Sequence, residues 1–404
     1  MTTVLPQRTR IRIGVVVGLG IIAAGFALYA AGHPLDFRVY HYGARRVFGG
    51  GAVYGVTSGL GWPQHYRYPP LFLPLFAPIA ALPLPWGAAL WAVLKVAALA
   101  LLTRALWRKF APPEGAWAWW APLLIAGPYV VEDLRFGNAQ SLVFALTAYA
   151  LLRADGTTLW PAAALGLAIN LKVWPLFFLP CLVARRRHRT ALWAVAFTAA
   201  FALLPAISFG FQRNLDLLSE WFRQEFTTQT GDSEIWFPSQ SLRGVMMRYL
   251  TFIDYSRLPD GNYPLVHIAE LDPALIRALA VAAGAAAYAG LLILIYRRYR
   301  GRIEIVDGLA FALLPLVQPF TQKYALVVLL WPAIVAGRIL QGKWRAPLYA
   351  AGGFALVQPL IPGSWAQRSM QAMGFDFAAT ALLAATIALW LYRQPPAPQS
   401  RLDT

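Results

Sequence analysis

The amino-acid sequence predicts an all-α, polytopic membrane protein with about 12 transmembrane helices. Three observations carry that prediction. The 404 residues are 58% hydrophobic and only 13% charged, with a mean hydropathy of +0.52, whereas a soluble domain carries about 25% charged residues. Many stretches of roughly 16 to 24 residues are almost free of charge, enough to cross a hydrocarbon core of about 30 Å. The alternating segments of about 10 residues that a transmembrane barrel needs do not occur, so helices are the spanning element.

The elements follow in order. A first span covers 13–31. Its length, and the absence of a cleavage site before the polar loop, predict a retained helix rather than a removed leader. A first outer loop, 33–67, precedes two short spans at 68–83 and 87–106. Spans at 117–131 and 139–153 flank "VEDLRFGNAQ". A sixth runs 159–184 into "RRRHR", and a seventh covers 190–209. A polar segment, 210–272, forms the second large outer region. Spans at 274–296, 304–318, 323–338, 346–361 and 375–392 complete a single membrane domain over 1–393. The tail 394–404 reads as disordered.

The net charge of +17 follows this topology. Basic residues gather at span ends: Arg8, Arg10 and Arg12; Arg185–Arg189; Arg297–Arg302; and Arg338, Lys343 and Arg345. That is the positive-inside pattern. It places both termini in the cytoplasm and both large loops on the extracytoplasmic side of the plasma (inner) membrane, and it displaces nucleic-acid binding as the source of the charge. One cluster runs against it: Arg104, Arg108 and Lys109 fall outside. The 132–138 loop falls inside. Cys181 stands alone, so neither an intrachain disulfide nor a cysteine metal site is expected.

Six short stretches carry candidate chemistry. "GHPLDFRVYHYGARRVF" contains Asp36, the sole carboxylate before Glu114. Asp36, Tyr40, Gly43 and Val47 share one face at i, i+4, i+7 spacing, which predicts an interfacial helix, with Arg38, His41, Arg45 and Arg46 pointing elsewhere. Asp36 reads as a catalytic base, since acids beside a bilayer are costly and usually functional; the alternative is an ion pair with Arg38 or Arg67, or a helix cap. In "GWPQHYRYPPLFLPLFAP", Pro69 and Pro70 stiffen a helix entry next to His65, Arg67 and Tyr68. "EDLRFGNAQS" gathers Glu132, Asp133, Arg135, Asn138 and Gln140, as a polar site or as a solvated loop with an N-cap at Asn138. "INLKVWPLFFLP" puts Lys172 near the middle of the sixth span, where a Lys costs about 2.5–3.5 kcal/mol and calls for a carboxylate or a bound anion. "FPSQSLRGVMMRYL" offers Gln240, Ser241 and Arg243 to a sugar or phosphate, or forms an amphipathic interface helix. At the outer face, "VQPFTQKYALVV" adds Gln318, Gln322, Lys323 and Tyr324. No P-loop, dinucleotide fingerprint or nucleophile elbow occurs, and no His pair has convincing metal spacing.

Taken in order, "DFRVYHYGARRVF", "YRYPPLFLPLFAP", "RFGNAQSLVFAL", "LKVWPLFFLP", "PSQSLRGVMMR" and "VQPFTQKYALVVLLWP" resemble glycosyltransferase family 87. The resemblance implies a GT-C fold with an extracytoplasmic site beneath the first loop, and mannose transfer from a polyprenyl-phosphate donor to a glycolipid, polysaccharide or other envelope acceptor, with no separate cofactor and no metal. It implies that Asp36 is the base. Lys172, Arg243 and Arg67 are then expected at the donor phosphate, with Tyr40, His65, Gln240, Ser241, Gln322, Lys323 and Tyr324 around the substrates. Two departures stand out. "GNAQ" replaces the family's Gly-Gln-x-Asn, and "QPFTQKY" lacks the His that follows the family's Ser-Pro-x-Ser-Trp loop. A lipid or solute transporter, and a non-catalytic envelope scaffold, are the competing readings; internal repeats and matched broken helices, which transporters usually show, are not evident.

Overall fold

The computed structural model describes residues 7–57, 64–110, 117–226, 238–255, 263–298 and 303–394. Residues 1–6, parts of both outer loops (58–63, 227–237 and 256–262), the 111–116 and 299–302 connections and nearly all of the tail lie outside the described residues.

The fold is helical throughout, in the order α1 (Gln7–Gly32), α2 (Leu35–Phe48), α3 (Phe72–Ala80), α4 (Leu84–Lys109), α5 (Trp117–Phe136), α6 (Gln140–Leu152), α7 (Trp160–Leu171), a 3₁₀ turn (Trp174–Phe177) running into α8 (Phe178–Ala184), α9 (His188–Leu203), α10 (Ala206–Phe209) and α11 (Phe211–Phe226). The second half contains α12 (Leu242–Leu250), α13 (Pro273–Arg298), α14 (Ile303–Val317), a 3₁₀ segment (Lys323–Leu329) leading into α15 (Leu330–Ile339), α16 (Arg345–Leu360), α17 (Ser364–Ala372) and α18 (Phe375–Arg393). Among the described residues, five helices are long and apolar enough to cross a membrane: α1, α4, α9 with its extension to Phe209, α13 and α18. The chain is a multi-pass membrane protein. Its surface fits a lipid solvent: Leu28, Ile207, Leu192 and Trp160 are each at least 70% exposed.

Two expected spans are corrected by contacts. The stretch 68–83 does not cross. Tyr68 and Leu82, at its two ends, bond to adjacent residues of α2: the Tyr68 hydroxyl lies 2.7 Å from that of Tyr40, and the Leu82 carbonyl 3.0 Å from His41 Nε2. A segment tied at both ends to one short helix returns to where it began. Its core, α3, has 9 residues, about 14 Å at 1.5 Å per residue. It packs through Phe72 and Phe76 onto Tyr40 and Trp91. His41 is thus buried beneath the α3 end, not turned away from the protein as the helical wheel suggests.

The stretch 159–184, expected to cross once, is a hairpin. α7 ends where Lys172 turns extended (φ −159°, ψ 138°), and α8 runs back. Asp155 and Arg187 pair at 2.6 Å, and the Thr190 hydroxyl donates to the Ala154 carbonyl. Both open ends of the hairpin therefore lie together, with Lys172 at the tip. A third pass follows in α9, which packs closely on α7: a Cβ at Gly166 would sit 2.8 Å from Phe197 Cβ.

The bundle consequently has two chemically distinct ends. At one end Lys109 pairs with Glu304 at 2.8 Å, Arg185 with Asp307, and Arg187 with Asp155; Arg338 lies over Phe110 and Arg393 over Trp344. At the other lie α2, α3, the 137–139 turn, Lys172, α11, α12 and α17. The 132–138 loop accordingly joins Asp36, contrary to the sequence expectation, and Arg104, Arg108 and Lys109, at the C-terminal end of α4, lie at the end that carries Arg185, Arg187, Arg338 and Arg393.

Candidate functional site

The end that carries α2 encloses a cavity of ≈ 730 Å³. Its floor is built around one amide. α5 ends in Arg135-Phe136-Gly137, and Gly137 takes φ +68°, a left-handed turn that glycine adopts without strain. The turn also needs the absent side chain, because Phe37 of α2 sits 3.4 Å from where a Cβ would be. Past the turn, Asn138 meets Asp36: its Nδ2 donates to Asp36 Oδ2 at 3.0 Å. Asn138 Oδ1 accepts from the Tyr68 hydroxyl at 3.1 Å, the Gln140 backbone N–H at 3.1 Å and Lys172 Nζ at 3.3 Å. The backbone N–H and the ammonium can only donate, and an ionised carboxylate can only accept. The amide orientation is therefore fixed by its neighbours, and Asp36 sits in an arrangement that suits its ionised form. Asn138 also accepts the Gln140 N–H at the start of α6, although the cap position of that helix is Ala139 rather than the expected Asn138.

Two supports hold this floor. On α4, Trp91 and Lys95 stand one turn apart. Trp91 Nε1 donates to the Gly137 carbonyl at 2.8 Å. Lys95 Nζ pairs with Asp133 Oδ2 at 3.0 Å and donates to the Asp133 carbonyl, which also accepts the Gly137 N–H. Lys95 and Asp133 are both fully buried. On the other flank, Tyr40 donates to Tyr68, which donates to Asn138. Burial holds both phenols above their ordinary range, so they remain hydroxyl donors. Tyr40, Tyr68, Phe72, Phe76 and Trp91 stack with centroids 4.9–6.2 Å apart, a rigid aromatic wall behind Asp36. Gly43 lets Tyr66 close this wall, since a Cβ there would lie 2.8 Å from its ring.

Eight of the sequence candidates line the cavity: Asp36, Tyr40, His65, Arg67, Lys172, Gln322, Lys323 and Tyr324. Their surroundings differ. Lys172 has no carboxylate within 4.0 Å among the described residues; it bonds Asn138 and lies 5.6 Å from the ring centroids of both Tyr68 and Tyr324. Arg67 is paired with Glu225 of α11 at 3.2 Å. Lys323 bonds the buried Gln358 at 2.7 Å and lies 3.9 Å from Asp376, so its charge is partly matched from behind. Asp36 does not take Arg67 as its partner.

Three candidates lie elsewhere. Gln240 is buried in a joint between segments, donating to the Gln371 carbonyl at 2.9 Å and accepting from Phe377 N–H. Ser241 caps α12, accepting from Gly244 N–H and donating to the Pro319 carbonyl. Arg243 sits on α12 and does not line the cavity. The buried arginine of that helix is Arg248, which donates to the carbonyls of Ala372 at 2.9 Å and Ser239 at 2.6 Å; burial pushes its guanidinium down to about 10. This stretch holds α12 against α17 and α18, with Gln240, Ser241 and Arg248 bonded to backbone groups.

The cavity also takes in Tyr68, Asn138, Gln140 and Gln318, named in the sequence but given no substrate role, and Trp221, Glu225 and Gln371, which the sequence did not single out. α11 is stapled to the first loop by Gln224, which accepts from Gly55 N–H at 2.7 Å and donates to the Tyr66 carbonyl at 2.8 Å, and by Trp221 Nε1 on the Arg67 carbonyl.

The arrangement sets a carboxylate and an ammonium on opposite sides of one amide, facing an aromatic-lined space. Such a site can take a proton from a hydroxyl at one point and hold an anion at another. Comparison with known proteins agrees in class. The chain is 31% identical over 209 residues to the polyprenol-phosphate-mannose-dependent alpha-(1-2)-phosphatidylinositol mannoside mannosyltransferase of Mycobacterium tuberculosis, covering 45% of this chain and 48% of that protein. It is 30% identical over 250 residues to the Mycolicibacterium smegmatis protein of the same name, covering 57% and 56%. The chain thus spans about half the length of these curated relatives. The model of glycosyltransferase family 87 matches residues 66–319, more than half of the sequence and most of the cavity wall, and the chain belongs to that family.

Proposed function

We propose that this chain is a polyprenyl-phosphate-sugar-dependent hexosyltransferase, with mannose as the sugar and an envelope glycolipid or polysaccharide as acceptor. The convergence of Asp36 and Lys172 on Asn138 carries this reading. The donor's phosphate sits against Lys172, with Arg67 as a second cation once Glu225 yields it. The acceptor hydroxyl faces Asp36. Its oxygen forms a bond to the anomeric carbon as the proton passes to the Asp36 carboxylate. The bond from that carbon to the phosphate oxygen breaks, and its electron pair leaves with the polyprenyl phosphate, whose added charge Lys172 stabilises. Direct displacement inverts the anomeric centre. The lipid phosphate is already a good leaving group, so no acid is needed on that side.

This reading takes twelve segments as crossings, α1, α4, α5, α6, α7, the 174–184 arm, α9, α13, α14, the 323–339 arm, α16 and α18, which puts the cavity on the extracytoplasmic side of the plasma membrane. Moving one crossing from 68–83 to the second arm of the hairpin keeps both termini on the same side and brings Arg104, Arg108 and Lys109 in with the other basic clusters, as the positive-inside rule requires.

The test is sugar transfer by purified protein in nanodiscs. Radiolabelled polyprenyl-phosphate sugars are supplied with envelope lipid extract, for wild type and Asp36→Asn. The amide at 36 can still accept from Asn138, so donor binding should persist while turnover falls about 10²–10⁴-fold. Equal turnover in the variant refutes the role of Asp36. Movement of intact donor or solute across the bilayer with no transfer to any acceptor would favour a transporter.

A further inference from the structure

We propose that the basic end of the bundle, opposite the cavity, binds an anionic glycerophospholipid, with its acyl chains in a groove between α8, α9 and α13 and its phosphate at Arg186. The groove measures ≈ 830 Å³. Val183, His188, Leu192, Val195, Ile293 and Tyr296 are among the side chains that line it, and all but His188 and the tyrosine hydroxyl are hydrocarbon. Val183, Leu192, Val195, Ile293 and Tyr296 are 48–70% exposed, so the groove opens towards lipid.

Arg186 sits at its mouth for a reason that the fold does not supply. α8 closes with paired bonds, Arg186 N–H to the Val183 carbonyl at 2.8 Å and Arg187 N–H to the Leu182 carbonyl at 2.9 Å. This is a Schellman turn, whose left-handed position glycine usually fills. Here Arg186 fills it at φ +63°, the one non-glycine residue with positive φ among the described residues. The backbone is strained for an L side chain, and what the strain brings is a guanidinium 5.9 Å from the Tyr296 ring at the edge of the groove.

Charge complementarity selects the occupant. Arg185 and Arg187 are engaged with Asp307 and Asp155. Arg186, His188 and Arg189 are exposed and, among the described residues, have no carboxylate within 4.0 Å. The positive-inside rule accounts for basic residues at this end but for neither a left-handed arginine nor an apolar groove beneath it. A zwitterionic lipid brings its own cation and gains little from Arg186. A soluble phosphate leaves the groove unfilled. A phospholipid with net negative charge satisfies both features.

The full chain is tested in detergent by native mass spectrometry and thermal unfolding. Phosphatidylglycerol, phosphatidylcholine, glycerol 3-phosphate and a polyprenyl phosphate are compared. Phosphatidylglycerol should stay bound and raise Tm; phosphatidylcholine and glycerol 3-phosphate should not. Arg186→Gly should melt no lower than wild type without lipid, because glycine relaxes the turn, yet its preference for phosphatidylglycerol should fall about fivefold. Leu192→Trp, which fills the groove, should lose the same preference with Arg186 intact. The proposal is overturned if Arg186→Gly keeps the full preference, if phosphatidylcholine stabilises equally, or if the polyprenyl phosphate displaces phosphatidylglycerol from the groove.

Discussion

Lys172→Met offers the sharpest probe of how the cavity holds a phosphate. The ammonium lies at the tip of the α7–α8 hairpin with one bond to Asn138 and two aromatic faces beside it. A phosphate charge about 4 Å away interacts with it by about 4 kcal/mol at an effective dielectric of 20. Desolvation of both groups offsets part of that, and net values for charge-assisted hydrogen bonds are roughly 1.5–3 kcal/mol. Donor affinity should therefore fall about 10- to 150-fold. Arg67 makes the internal control. It is 39% exposed and already paired with Glu225, so Arg67→Met should cost about fivefold or less. Trp174 and Trp221 line the cavity, and their fluorescence reports donor binding without turnover. If Lys172→Met binds donor within twofold of wild type while Arg67→Met loses it, the phosphate lies on the α11 side and the assignment is wrong.

Two further outcomes are expected. Lys95→Met alone should destabilise by about 3–5 kcal/mol, because it strands Asp133 in the bundle, whereas Lys95→Met with Asp133→Leu should recover most of that stability yet transfer sugar poorly; thermal unfolding and transfer assays separate the two effects. His41 is held below its ordinary value, mainly by burial, with Arg45 adding to it against the opposing bond to Leu82. The unfolded chain then binds the extra proton first, so the contribution of His41 is complete above about pH 6.5 and is lost as pH falls through the lower folded value. Tm measured from pH 7.5 to 5 should drop in wild type and drop less in His41→Gln.

Fold class was legible because hydropathy over 20-residue windows does not depend on tertiary contacts. So was α2, whose burial of Tyr40, Gly43 and Val47 follows the i, i+4, i+7 pattern. Two of the expected spans were misread. Apolar content made 68–83 look like a span, although Pro69, Pro70, Pro74 and Pro78 marked a broken, short segment. Length made 159–184 look like one span, although Asn170, Lys172 and Pro175 marked its middle as a break. The expectation put the 132–138 loop and Asp36 at opposite ends of the bundle, whereas the structure holds Asn138 against Asp36. The same misreading made Arg104, Arg108 and Lys109 an anomaly. Gln240 and Ser241 lie off the cavity for another reason: polar residues in an outer segment serve backbone groups as readily as substrates, and composition alone does not separate the two.

The α7–α8 hairpin also constrains how the chain is made. Its arms, Trp160–Leu171 and Trp174–Ala184, are each about 18 Å long or less, against a hydrocarbon core of about 30 Å. Neither arm is a competent insertion signal by itself, so the two have to enter the bilayer as a pair, with Lys172 leading at the bend. By then the ribosome has already produced α2 and the 137–139 turn, which hold Asp36 and Asn138. The lysine therefore crosses towards an acceptor that is already waiting, and the order of synthesis becomes the order in which the site is charged.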